Sequence, residues 1–99
     1  MPHYVLLTKL SRDVTGKMKE RAQIGKRWKK KVDKCCPGVK WHTHLAVFGP
    51  WDFMDLYEAP DDETAAKVSM ITLAEGATAA ETWNAIPYQR FLELVNEVF

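Results

Sequence analysis

Several features are scarce in this chain of 99 residues, and each shortage excludes something. There are two cysteines, Cys35 and Cys36, and they are adjacent. Neighbouring cysteines strain the peptide between them if they bridge, so no disulfide framework is expected and the thiols read as reduced. No apolar run reaches membrane-spanning length, and no basic-then-apolar leader is visible, so a cytoplasmic location is the expectation. Net charge is almost nil, at +1. Low-complexity stretches and internal repeats are also missing. What remains is a 46% hydrophobic, aromatic-rich chain of a length that builds one modest core, read as a single domain over residues 1–99.

The charge that exists is unevenly placed. Residues 1–41 hold 12 Lys/Arg against 3 Asp/Glu, and residues 42–99 hold 2 against 10. Much of the basic run sits near a helix C-terminus, where the macrodipole favours cations. Arg27, Lys29, Lys30, Lys31 and Lys34 lack a recognised nucleic-acid motif and, Trp28 apart, aromatic interleaving. Complementary solvated faces are expected, not a nucleic-acid surface.

The stretch from Val39 to Asp62 organises the chain. Two extended runs flank Gly49-Pro50, a turn signal, and the second run ends at Pro60 before acidic residues that start a helix. A tight hairpin places His44 opposite Asp55 and His42 opposite Tyr57; a looser one places His44 opposite Tyr57. Alternation gives two faces. Trp41, Thr43, Leu45, Val47, Met54 and Leu56 form an apolar face expected against helices. Lys40, His42, His44, Ala46, Phe48, Trp51, Phe53, Asp55 and Tyr57 form a second face, expected to be left open and then sheltered by a second copy or a ligand.

Around the hairpin the remaining elements fall into order. Residues 3–10 read as a central strand. Residues 13–36 read as a helix, capped by Ser11 or Asp13, with Gly16 and Gly25 weakening it as candidate kink points. Its apolar stripe is Val14, Met18, Ala22, Gly25, Trp28, Val32 and Cys36 at steps of three and four. Residues 61–75 read as a second helix ended by Gly76. Residues 77–86 read as a strand, with helix as a competitor on alanine content. Pro87 opens a short helix with Tyr88, Phe91, Leu92, Val95, Val98 and Phe99 on its apolar side. Strand, helix, strand, strand, helix, strand, helix is the α+β, ferredoxin-like βαββαβ order with a C-terminal helix. It implies a four-stranded antiparallel sheet bare on one side, hence a homodimer closed sheet to sheet.

With the start Met1-Pro2-His3-Tyr4-Val5, the turn Gly49-Pro50-Trp51-Asp52, the run Tyr57-Glu58-Ala59-Pro60-Asp61-Asp62 and the late Glu81-Thr82-Trp83-Asn84-Ala85-Ile86, the whole chain resembles the GYD-domain proteins. The name reflects Gly, Tyr and Asp in the turn; Trp51 stands here in place of Tyr. The resemblance implies a small bacterial or archaeal dimeric α+β barrel. No catalytic residue is carried over.

From the residues themselves, His44 and Asp55 are the candidate general-base pair, the carboxylate orienting the imidazole. His42, Trp51, Phe53 and Tyr57 are the candidate ligand-binding residues. His42-Thr43-His44 could share a metal if Asp55 or His3 converged, but the spacing is not that of a zinc motif, and no metal ligand is assigned. Asp52 is expected to hold the turn through backbone N–H groups. The Cys pair is expected to be unreactive. These residues point to a pocket for a small apolar or aromatic molecule with His/Asp proton transfer. The alternative is a non-catalytic interaction or regulatory module with a filled core. Neither a cofactor nor a substrate is named by the sequence.

Overall fold

The structure, a computed structural model, describes residues 1–11 and 17–99. Asp13, Val14 and Gly16, assigned above to the first helix, lie outside the described residues. Among the described residues, four strands and three helices follow the expected order: β1 (His3–Leu10), α1 (Met18–Cys35), β2 (Lys40–Ala46), β3 (Phe53–Glu58), α2 (Asp62–Ala74), β4 (Ala77–Ala85) and α3 (Tyr88–Val98). The sheet is antiparallel in the order β2-β3-β1-β4. Residues 77–85 are extended despite their alanines, because this segment pairs along the central strand β1.

Local chemistry explains the element ends. Asp61 caps α2 by accepting from the Thr64 N–H at 2.8 Å, and its bonds from Thr64 hold its carboxyl below the usual range. Gly76, at φ 112°, takes the left-handed turn that releases α2 into β4. Pro87 precedes α3, where its missing N–H costs nothing. Val32 O accepts the Cys36 N–H at 2.7 Å and closes α1.

Both α1 and α2 lie on one side of the sheet. The core there is Tyr4 and Leu6 from β1, Tyr57 from β3, Trp28, Val32 and Cys36 at α1, and Ala65 and Val68 from α2. The two helices seat differently. Small Ala65 lets α2 approach β4 and β1 closely, and Ser69 on it hydrogen-bonds Thr82 of β4. The bulk of Trp28 holds α1 off the sheet; its close approach is to α2. Trp28 Nε1–H donates to Thr72 Oγ1 at 2.8 Å, tying the helices together.

From Thr43 onward the two sheet faces are the reverse of the expected ones, whereas Trp41 on the helix side and Lys40 and His42 on the open side lie where expected. Asp55, Tyr57 and His44 face the helices, and Trp41 joins them. Thr43, Leu45, Met54 and Leu56 share the open face instead. Aromatic side chains bury the larger area, so the face holding Trp41, Tyr57 and Phe53 gains more from being covered. Its polar groups do not prevent this, because His44 and Asp55 satisfy each other.

Tyr4 Oη donates to Asp62 Oδ1 at 2.6 Å, clamping β1 to the start of α2. This bond, with burial and the Asp62 charge, raises the Tyr4 phenol from 10.0 to about 12. A phenol held protonated in the fold stabilises it fully below pH 10.0 and loses that contribution as pH climbs towards about 12. Tyr4→Phe is therefore expected to lower stability at neutral pH and to flatten the loss of stability between those two values. Urea unfolding across that range measures it.

Candidate functional site

The hairpin takes the tighter register, with His44 opposite Asp55, Leu45 opposite Met54 and Ala46 opposite Phe53. Between Trp41 and Thr43 the register slips, so that Trp41 and not His42 faces Tyr57. His42 is the extra residue of a bulge. A bulge breaks the alternation and re-aims a side chain. The two histidines therefore part: His44 lies on the helix side, and His42 lies on the open side.

Under the stand-off of α1 is a cavity of about 950 Å³. Its walls include Trp28, Arg21 and Gly25 of α1, Trp41 and His44 of β2, and Phe53 and Asp55 of β3. The His44 imidazole lies between Trp28 and Phe53, with ring centroids 5.7 and 5.8 Å away. Its Nδ1 is hydrogen-bonded to Asp55 Oδ1, which leaves Nε2 as the atom to meet a ligand. Asp55 is 1% exposed, and burial pushes its carboxyl up; the His44 hydrogen bond and charge pull it down more weakly. A buried carboxylate fixing an imidazole that opens onto an apolar space can orient a proton acceptor.

Of the six expected site residues, the structure brings His44, Asp55 and Phe53 together. Tyr57 is fully buried, between Tyr4 and Trp41, and does not line the cavity. Trp51 sits half-buried in the connection between β2 and β3, also away from the cavity lining. His42 is removed by the bulge. Arg21 is the wall residue that the sequence reading does not single out. It stacks over Phe53 at 5.3 Å and reaches Asp52 at 3.6 Å. Its position three after Met18 and four before Gly25 sets it on the apolar stripe, which is the signal that could have found it. Among the described residues, buried Trp41 Nε1 and Tyr57 Oη have no hydrogen-bond partner.

Asp52 does more than hold its turn. Its Oδ2 accepts the Leu10 N–H at 2.8 Å, and its own N–H donates to Thr8 O at 2.8 Å. It thus splices the end of β1 to the hairpin where the β1–β4 register shifts. Asp52→Ala is expected to cost about 1–3 kcal/mol by leaving the Leu10 N–H unpaired. Chemical denaturation measures the loss, and Asp52→Asn, which keeps an acceptor, should recover part of it.

On the open side a second group forms. His42 Nε2 hydrogen-bonds Glu58 Oε2 at 2.6 Å, and His3 Nε2 lies 3.7 Å from Glu58 Oε1. The His42 hydrogen bond holds the Glu58 carboxyl below its usual range. The cysteines are free, Cys35 exposed and Cys36 buried, and burial pushes the Cys36 thiol up. Part of the basic run is paired within the chain, Lys29 with Asp33 at 2.8 Å and Arg27 with Glu75 at 3.8 Å. None of the described helices is long and apolar enough to cross a membrane.

Fold and site together define a small α+β protein of ferredoxin-like architecture. The solved structures it resembles share that fold. A dimeric protein of unknown function and ferredoxin-like fold from Bacteroides fragilis matches with a TM-score of 0.54 at 15% identity, over 85% of this chain and 93% of that one. A protein from Thermus thermophilus matches with a TM-score of 0.56 at 20% identity, over 88% of this chain and 95% of that one. MtbAldR matches with a TM-score of 0.63 at 14% identity, over 87% of this chain; the chain spans 53% of that one, about half its length. At the level of sequence, the GYD domain family model matches residues 4–95, and the chain belongs to that family. A Thermus thermophilus relative, 28% identical over 88% of this chain and 90% of its own length, is the glutamine synthetase and cystathionine beta-lyase binding protein.

Proposed function

We propose that this protein is a small homodimer that binds an apolar or aromatic small molecule between α1 and the sheet, with His44 and Asp55 positioned for proton transfer to or from it. The observation that carries the reading is the cavity of about 950 Å³ beside that pair. Its size and aromatic walls are those of a small-molecule site, with a few polar groups to orient the guest. Arg21 at the wall suits a guest that also bears an anionic group. The homodimer rests on the open sheet face, whose Leu45 and Trp83 are exposed, and on the dimeric state of the Bacteroides fragilis neighbour.

Gly25 supplies the test. A Cβ added there meets nothing within 4 Å. Gly25→Leu should project a side chain into the cavity and narrow it while improving helix propensity by roughly 0.5–1 kcal/mol. With 1-anilinonaphthalene-8-sulfonate as the probe, wild type should bind one molecule per chain. Gly25→Leu should bind at least about tenfold more weakly without loss of stability. Equal binding by both would sink the reading. Native mass spectrometry of protein purified without added ligand reports any retained guest and the subunit number together.

A second reading is favoured by a separate observation. Tyr88, Phe91, Leu92, Val95 and Val98 form one stripe of α3, and all are exposed. With the enzyme-binding role for which the Thermus relative is named, this supports an interaction module that docks on a larger enzyme. On that reading Phe91→Asp abolishes capture of purified glutamine synthetase and Gly25→Leu leaves it unchanged.

A further inference from the structure

We propose that His3, His42 and Glu58 form a site for one divalent transition-metal ion on the open face of the sheet. The three residues come from three neighbouring strands. His3 and Glu58 are direct cross-strand partners, so their side chains leave the sheet side by side. Regular alternation would have kept His42 with His44. The bulge at His42 turns it to the other face and sets it over Glu58. Nitrogen and oxygen donors of all three then lie within 4.8 Å of one another.

The arrangement around Glu58 is divided in a way that suits an ion. One carboxylate oxygen meets His42 Nε2 at 2.6 Å, and the other is 3.7 Å from His3 Nε2. The second distance is too long for a hydrogen bond. The two imidazoles lie nearly parallel, with centroids 5.7 Å apart and planes inclined by 14°. Two imidazoles thus compete for one carboxylate, and a cation among the three donors would engage them all. Metal–ligand bonds of about 2.0–2.2 Å at a tetrahedral ion put donors roughly 3.3 Å apart. Reaching that spacing needs movement of side-chain ends alone, because the backbone positions are held by strand pairing.

The donor set selects the ion. Two imidazole nitrogens and one carboxylate oxygen suit zinc and its divalent neighbours, and do not suit calcium or magnesium, which take oxygen ligands. Three protein ligands leave a coordination position open. Beside the group is a hollow of about 430 Å³ lined by Leu56, Ala85, Ile86 and Pro87, which has room for a water or a donor atom of a small molecule there. Lys40, opposite Glu58, is exposed and can keep its ammonium in solvent. The site is across the sheet from the His44–Asp55 cavity and does not depend on that cavity holding a guest.

The test is a zinc titration by calorimetry, on tag-free protein as purified and stripped of metal by chelator, counted per chain. A Cys35→Ser background removes the exposed thiol as a competing ligand. One zinc per chain is expected. His42→Ala and Glu58→Ala should each weaken it at least about tenfold. His3→Ala, at a strand end where folding is little affected, should do the same, and His44→Ala should leave it unchanged. Cobalt should give visible absorption without a thiolate charge-transfer band. Absence of zinc uptake, uptake indifferent to His3→Ala and His42→Ala, or uptake lost with His44→Ala instead would each overturn the site.

Discussion

Trp28→Ala is expected to destabilise the protein by about 3–5 kcal/mol, the range for deleting a buried aromatic side chain. Trp28 is 8% exposed and joins three parts of the molecule. Its ring meets Trp41 at 5.1 Å and His44 at 5.7 Å, and its N–H holds Thr72 of α2. Removing it opens the cavity further and leaves α1 with little to rest on above β2. Trp28→Phe separates these contributions. It keeps a ring on the sheet and loses the bond to Thr72, for about 1 kcal/mol. Thr72 Oγ1 still donates to Val68 O at 2.7 Å, so no buried donor is stranded there. Urea midpoints give both numbers. A cost below about 1 kcal/mol for Trp28→Ala would mean that α1 is not seated through this residue.

The second large effect concerns the open face. Leu45 and Met54 face each other across the β2–β3 ladder on that side. Leu45→Lys together with Met54→Lys sets two ammonium groups opposite one another on the surface proposed to meet a second copy. Burying them is costly, and directly opposed like charges repel. The dimer should weaken by about 2 kcal/mol or more, roughly thirtyfold. Neither side chain belongs to the core between sheet and helices, so the protomer should keep its far-ultraviolet spectrum. Sedimentation velocity reads the outcome. A wild type that sediments as a single chain, or a double variant that stays paired, would remove this face as the interface.

Both experiments turn on which sheet face meets the helices, and there local reading reaches its limit. The element order, the limits of β1, the proline-and-acid start of α2 and the Gly76 signal are legible, and the His44–Asp55 register is one of the two that the hairpin allows. Each depends on neighbours close in sequence or on the length of one hairpin. Polarity is the local guide to facing, and here it misleads. Asp55 looks like a group that avoids a core, yet it is buried because the half-exposed His44 gives its carboxyl a hydrogen-bond partner. The bulge at His42 leaves no mark either, since no glycine or proline stands there. Arg21 is visible on the helical stripe, but its charge disguises it as a solvent residue.

Periodicity and turn chemistry alone thus determined a βαββαβ chain with a C-terminal helix, and the motifs along it carried its kinship with the GYD domain proteins. Tertiary structure decided the rest: which side of the sheet is covered, that α1 stands off on Trp28 and leaves a cavity, and that His42 leaves His44 to join His3 and Glu58. Those outcomes depend on competing burial areas and on the pairing of three strands at once, and no window along the chain contains them.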